Sequence, residues 1–214
     1  MEQKPLGQKN QESANKNIHI AIFASGAGGN AKKIIEHFND SKNIRVSLIV
    51  CNKLDAGVIK IAESKNIPVL ILKKDKFFFE DAYLPELKKY KIDFIVLAGF
   101  LWKIPQILIE TYPDKIINIH PALLPKYGGK NMYGNYVHQA VINSGDKETG
   151  ITIHYVDKEY DNGKIIFQEK CSIDENETLE TLAYKVHALE HKNYPQIIED
   201  VIKSQFNNKP LIIE

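Results

Sequence analysis

Sulfur is scarce in this sequence, with two cysteines and two methionines among 214 residues. Cys51 and Cys171 lie far apart and form no CxxC pair or Cys/His cluster, which argues against a thiol-based metal site and for reduced thiols in a cytoplasmic protein. Charge of one sign is lacking too: Lys plus Arg is 28, Asp plus Glu 27, and the formal net charge is +1. A near-neutral chain carries no global argument for nucleic acid or an anionic membrane as partner. No apolar run approaches the roughly 20 residues of a membrane span. The opening segment, residues 1–16, is polar and lacks the apolar core of a signal peptide, so it reads as a flexible tail. Neither an internal repeat nor a domain-dividing linker is present, and residues 17–214 read as a single domain in the cytoplasm.

What the sequence does contain is a regular alternation of apolar runs and helical patterns. Ile18 to Ala24 is a strand, followed by the glycine loop Ser25-Gly26-Ala27-Gly28-Gly29-Asn30 and a helix with Ile34, Ile35 and Phe38 on one face. Arg45 to Cys51, Pro68 to Leu72 and the near-continuous run Asp93 to Leu97 supply further strands. Ala56 to Lys65, Phe77 to Tyr90 (with Pro85 inside it) and Ile104 to Glu110 supply helices between them. Ile116 to His120 is the next strand. This alternation predicts an α/β fold with a doubly wound, mostly parallel, Rossmann-like sheet. After it the pattern changes. A helix over Tyr136 to Asn143 precedes two strands, Gly150 to Val156 and Lys164 to Gln168, which form a C-terminal antiparallel portion. Leu179 to Gln205 reads as a long C-terminal helix bent or interrupted near Pro195, and Leu211 to Ile213 as a last edge strand.

Several stretches carry polar groups in patterns that chemistry uses. Asn118 and His120 occupy alternate positions of a strand and project to one face, and Pro121 ends the strand because it has no N–H to donate. Gly26-Ala27-Gly28-Gly29-Asn30-Ala31 satisfies the dinucleotide fingerprint G-x-G-x-x-A, but the second strand ends in Cys51-Asn52-Lys53 with no carboxylate for a ribose. The loop therefore suits a phosphate at a helix N-terminus better than a nicotinamide cofactor; a plain tight turn with Asn30 as helix cap is the bland alternative. Ala98 to Pro105 follows a buried strand, where open α/β sheets bind ligands, and its apolar and aromatic residues can flank a flat ring or simply cap the core. Asp161 sits in Asp-Asn-Gly, ordinary turn chemistry. His154 lies in a strand and His138 in a helix. His187-Ala188-Leu189-Glu190-His191 matches H-x-x-E-H, yet no third ligand accompanies it, so no metal is expected.

Taken together, SGAGGN at 25–30, LAGFLWKIP at 97–105, INIHPALLPKY at 117–127, HYVDKEYDNG at 154–163 and LEHKNYP at 189–195 resemble the phosphoribosylglycinamide formyltransferases, folate-dependent enzymes of purine synthesis. The resemblance covers essentially everything after the tail and implies the formyltransferase fold. It implies transfer of a formyl group from 10-formyltetrahydrofolate, a co-substrate, to the amine of 5-phosphoribosylglycinamide, without a metal. Asn118, His120 and Asp161 are the implied catalytic residues: Asn118 and protonated His120 stabilise the oxyanion formed on attack at the formyl carbonyl, and Asp161 raises the histidine pKa. Gly28, Gly29 and Asn30 are implied on the substrate phosphate and Glu190 on the ribose hydroxyls. Leu101, Trp102, Lys103 and Ile104 flank the folate ring largely through backbone groups, with Asn118 beside them.

Departures from the family pattern are also visible. Glu80 falls where a basic residue for the folate glutamate tail is expected, with Lys74 and Lys76 nearby as substitutes. Trp102 replaces a usual arginine, Ala122 a usual serine, and the loop Gly128 to His138 is longer than the common form. The alternatives are a formyltetrahydrofolate deformylase-like hydrolase, expected with an N-terminal regulatory domain, and a non-catalytic phosphate- or nucleotide-binding module. A methionyl-tRNA formyltransferase is expected to need a further C-terminal RNA-binding domain. The expected partners are the two small-molecule substrates, with no nucleic acid and no membrane, and monomer and homodimer both fit.

Overall fold

The computed structural model describes residues 17–207. Its first strand, β1 (Ile18–Ala24), buries every residue but His19. The same holds for Phe94–Leu97 (β4), all four of whose side chains are buried. Such runs belong to a sheet covered on both faces. With β2 (Ile44–Cys51), β3 (Val69–Ile71) and β5 (Ile116–His120) they make the parallel part of the sheet. Two antiparallel strands, β6 (Glu148–Tyr155) and β7 (Ile165–Ser172), extend it beyond β5. The strand order is β3-β2-β1-β4-β5-β6-β7, so the direction of winding reverses between β1 and β4.

Helices cover both faces. One layer holds α1 (Gly29–His37), α2 (Gly57–Ser64), α6 (Asn135–Ser144) and α7 (Leu179–Asn207). Their Ile34, Val58, Val137 and Val186 pack on the side chains of Ile20, Ile22, Val96 and Ile117. The other layer holds α3 (Lys74–Phe79), α4 (Leu84–Lys89) and α5 (Gln106–Thr111). There Phe77, Leu87 and Leu108 pack on Phe23, Ile95 and Ile116. Alternation along β5 therefore sends Ile117 and Ile119 into the first core, and Asn118 and His120 to the same side as Ile116.

Three sequence expectations change. The single helix expected over Phe77 to Tyr90 is two helices, separated by Glu80 to Tyr83. Ala82 and Tyr83 there have positive φ, 48° and 62°, and Pro85 stands in the first turn of α4, where its missing N–H costs nothing. Proline begins a helix here; it does not kink one. At the C-terminal end, α7 continues unbroken through Pro195. It is held there by Tyr194, which is fully buried and donates its hydroxyl to the carbonyl of Leu97, 2.8 Å away, at the end of β4. β7 also runs on past the apolar stretch that announced it, through Glu169 to Ser172, with exposed residues alternating as on an edge strand. The expected tail over 1–16 and the edge strand over 211–213 lie outside the described residues. No helix among the described residues is long and apolar enough to cross a membrane.

Candidate active site

The reversal between β1 and β4 sets a topological switch point at the carboxyl ends of the parallel strands, where α/β sheets bind ligands. The loops after the two strands are tied together. Ser25 N–H donates to the Gly99 carbonyl at 3.0 Å, and the buried Ser25 hydroxyl accepts from Leu101 N–H at 3.0 Å. Gly28 is the N-cap of α1 with φ 85°, a left-handed conformation that suits glycine. A Cβ there would also lie 2.9 Å from the Val58 backbone, so the residue permits the close approach of α2. No side chain caps α1, which leaves the N–H groups of its first turn open to a ligand.

Asn118 and His120 stand at the end of β5, opposite His154 and Thr152 of β6. His154 Nδ1 lies 2.8 Å from the Tyr155 carbonyl, which can only accept, so Nδ1 carries the proton and Nε2 is left to accept. The Asn118 amide nitrogen is 3.1 Å from that Nε2. One of its two hydrogens is thereby committed, and the other remains for a ligand. His120 obeys the same logic in reverse: Nε2 is 2.7 Å from the Tyr127 carbonyl and must donate to it. The nitrogen free to gain or lose a proton is Nδ1, and it faces Asp161 Oδ2 at 3.6 Å.

Asp161 has φ 52° and comes from the turn between β6 and β7. Its Oδ2 accepts the Gly129 N–H at 2.9 Å, while Oδ1 lies 3.7 Å from His154 Nε2. The carboxylate is thus set between the two imidazoles. Two features of the sequence place it there. A Cβ on Gly163 would sit 1.8 Å from the Tyr155 carbonyl oxygen, so only glycine lets the turn fold this tightly. A Cβ on Gly128 would come 3.2 Å from the Asp161 Cβ and 2.6 Å from Leu124. Beneath this, buried Thr152 donates its hydroxyl to the Ala122 carbonyl at 2.7 Å and accepts from Leu124 N–H at 3.0 Å, fixing the chain as it leaves His120.

The electrostatics correct one expectation. Burial pushes the His120 imidazole below its ordinary value; Asp161 and the Tyr127 carbonyl pull it upward, and His154 adds to the depression. The lift from the carboxylate is there as anticipated, but desolvation outweighs it. Burial thus favours the neutral His120 imidazole, with a carboxylate beside the nitrogen that would take a proton. His154 is likewise lowered by burial, against the pull of the Tyr155 bond and Asp161.

Asn30 does not cap α1. Its amide nitrogen donates to Glu190 Oε2 at 2.8 Å, and its Oδ1 is buried without a partner among the described residues. Glu190 is 5% exposed and burial raises its pKa, with Asn30 and His187 pulling the other way. Glu190 accepts from Asn30, and no group of three or more metal-holding side chains occurs among the described residues.

In the stretch after β4, Ile104 is core, 5% exposed. Trp102 packs on Phe77 and Phe78, with ring centroids 5.7 and 5.5 Å away, while Leu101 is exposed and Lys103 lies 5.5 Å over the Tyr160 ring. Its Trp102 and Ile104 side chains support the strand end. Of the two lysines suggested for an anionic tail, Lys76 is taken by Glu86 at 2.7 Å, leaving exposed Lys74. Sequence reasoning placed His154 in a strand but gave it no role, because its position opposite Asn118 depends on strand register. It also could not supply the backbone partners Tyr127 and Gly129.

A family model described as formyl transferase matches residues 18–198. The chain is 44% identical over 203 residues to the chloroplastic phosphoribosylglycinamide formyltransferase of Arabidopsis thaliana, a match covering 90% of this chain and 70% of that protein. It is 38% identical over 188 residues to the phosphoribosylglycinamide formyltransferase of Bacillus subtilis, covering 86% and 94%. Among solved structures, phosphoribosylglycinamide formyltransferase from Bacillus halodurans superposes with a TM-score of 0.79 at 38% identity, covering 88% of this chain and 97% of that one. A match of this extent, on a fold that brings INIHP and the Asp-x-Gly turn to one point, means that the chain belongs to the formyl transferase family.

Proposed function

We propose that this chain transfers a formyl group from 10-formyltetrahydrofolate to the amine of 5-phosphoribosylglycinamide, as a step of purine synthesis in the cytoplasm, and that residues 17–214 act as one domain. The convergence of Asn118, His120 and Asp161 at the carboxyl edge of the sheet carries this reading. A backbone edge beside the Phe77–Trp102 aromatic packing fits a flat ring, and the uncapped start of α1 fits a phosphate. The folate, when bound, supplies the formyl carbon.

The chain's own groups then have distinct tasks. Attack by the amine puts negative charge on the formyl oxygen. The free hydrogen of the Asn118 amide, aimed by the His154 bond, donates to that oxygen, a contact worth about 3–4 kcal/mol in comparable acyl-transfer sites. His120 Nδ1 is the proton carrier: the attacking amine must lose one proton and the departing folate nitrogen must gain one. Asp161 holds His120 as imidazolium during that exchange. Charge developing on the oxygen pulls in the same direction as the carboxylate, so together they overcome the desolvation that favours the neutral imidazole. Gly28, Gly29 and Asn30 take the phosphate, and Glu190 takes the ribose hydroxyls. The backbone of Leu101 to Ile104 takes the folate ring.

The test is the absorbance of deformylated folate, with and without the ribonucleotide. Product that requires the ribonucleotide is expected. Product without it would make the protein a deformylase, and binding of phosphorylated ligands without product would make it a binding module.

A further inference from the structure

The amino ends of the parallel strands, at the opposite edge of the sheet from Asn118 and His120, hold a cavity of about 420 Å³. That is room for a small organic ligand. Arg45 of β2, Lys65 at the end of α2, and Lys89 and Lys91 around the end of α4 line it, together with His19 and Ser47. No carboxylate lines it among the described residues, and none of the four cations has an ion-pair partner among them. Arg45 is the only arginine of the chain, and its planar fork suits phosphate oxygens better than any lysine does.

Lysines at helix C-termini offset the helix dipole, and that alone accounts for Lys65 and Lys89. It does not account for the rest. The helices α1, α2 and α4 end at the cavity and each brings about half a negative charge, against four full positive ones. Lys91 has φ 55° where the chain leaves α4, with the Ile92 N–H returning to the Leu87 carbonyl at 3.0 Å. Glycine is the usual residue in that position, and exposed Lys91 gains no packing for its strain. The floor is irregular as well. His19 of β1 pairs with Arg45, but Ile20 pairs with Val46 and Ala21 with Leu48, so the ladder skips Ser47. The Ser47 hydroxyl lies 2.7 Å from His19 Nδ1, and such bulges re-aim side chains beside functional sites. Half-buried Tyr90, with Lys89 Nζ 5.8 Å from its ring centre, gives one wall an aromatic surface.

We propose that this cavity is a second ligand site, for a nucleoside polyphosphate, with the phosphates on Arg45, Lys65, Lys89 and Lys91 and the base against Tyr90. Calorimetric titration of the full chain with adenosine triphosphate, in about 0.1 M salt without divalent cations, is expected to give a Kd in the micromolar range. The Arg45→Ala/Lys91→Ala double variant is expected to bind at least about tenfold more weakly with an unchanged melting temperature, both side chains being exposed. Arg45→Lys keeps the charge but loses the fork, and is expected to weaken binding about threefold. Inorganic triphosphate, which lacks the base, is expected to bind at least about tenfold more weakly than the nucleotide. No binding, a Kd unchanged in both variants, or inorganic triphosphate binding as tightly as the nucleotide would overturn the proposal. Formyl transfer plays no part in these measurements, so a chain that forms no product would leave their outcome standing.

Discussion

Replacing Asp161 by Asn removes the one charge between His120 and His154 while keeping the shape of the turn. The amide oxygen can still accept the Gly129 N–H, which Asp161 Oδ2 now receives at 2.9 Å. The new NH2 then takes the Oδ1 position and points at His154 Nε2, while the oxygen left facing His120 Nδ1 no longer carries the charge that favours the imidazolium. Two unit charges 3.6 Å apart attract by about 4–5 kcal/mol at an effective dielectric near 20. Halved for water reaching the partly exposed carboxylate, that is still roughly fiftyfold in the ratio of imidazolium to imidazole. Loss of proton transfer in the transition state adds to it, so kcat is expected to fall at least about 100-fold. The KM values for both substrates are expected to stay within about threefold, because no ligand contact is removed. The direction of the pH effect is fixed as well. Asp161 raises the His120 pKa, so the variant titrates lower still, as an NMR titration of the imidazole would report. Near-normal turnover, or a His120 titration that does not move, would refute the proposed role and leave Asp161 as a turn residue.

Gly163→Ala places a methyl group 1.8 Å from the Tyr155 carbonyl. It is expected to lower stability by roughly 3 kcal/mol, as backbone-incompatible substitutions do, and to cut kcat along with it because Asp161 is displaced; denaturant titration and turnover check the two. Thr152→Val keeps the shape but strands the Leu124 N–H and the Ala122 carbonyl. A loss of about 2–4 kcal/mol is expected from two buried partners left unpaired, visible as a lower Tm. His138 makes the fold acid-sensitive. Burial, with His187 and His120 nearby, pushes its pKa down to about 4, below the unfolded value, so the unfolded chain binds more protons as pH falls. Stability present above pH ~6.5 is therefore lost between there and pH ~4, by roughly 3 kcal/mol in all. Chemical denaturation at pH 7 and pH 5 is expected to show most of that loss, and His138→Leu to flatten it.

The parallel half of the fold was legible because its strands are buried on both faces and read as unbroken apolar runs, Phe94 to Leu97 most plainly. The division between α3 and α4 was not, since Phe77, Phe78, Leu84 and Leu87 keep a helical spacing across it. The break depends on two left-handed residues that propensity does not announce. Asn118 and His120 could be paired from strand alternation alone. Asp161 needed the family resemblance, because Asp-Asn-Gly is common turn chemistry. His154 escaped because its neighbour is decided by how β5 and β6 align, a long-range fact that no local pattern encodes. The alternative of Asn30 as a cap fails for a related reason: its partner, Glu190, is 160 residues away.

The pairing of Asn118 with His154 also gives the enzyme a form of quality control over its own assembly. If β6 slid past β5 by one residue, every side chain on it would move to the opposite face. Asn118 would then face Ile153 or Tyr155 and lose the acceptor that aims its amide. The Asp-x-Gly turn would be dragged out of reach of His120. A register shift already lies between Ile153 and His154 in the β6–β7 ladder, the kind of irregularity that re-aims a side chain beside a functional site. A mis-registered chain would turn Ile151 and Ile153 out of the first core, yet it could keep its parallel strands and its helices and still have no activity. Turnover in this protein is therefore a more exacting reporter of correct strand alignment than secondary-structure content.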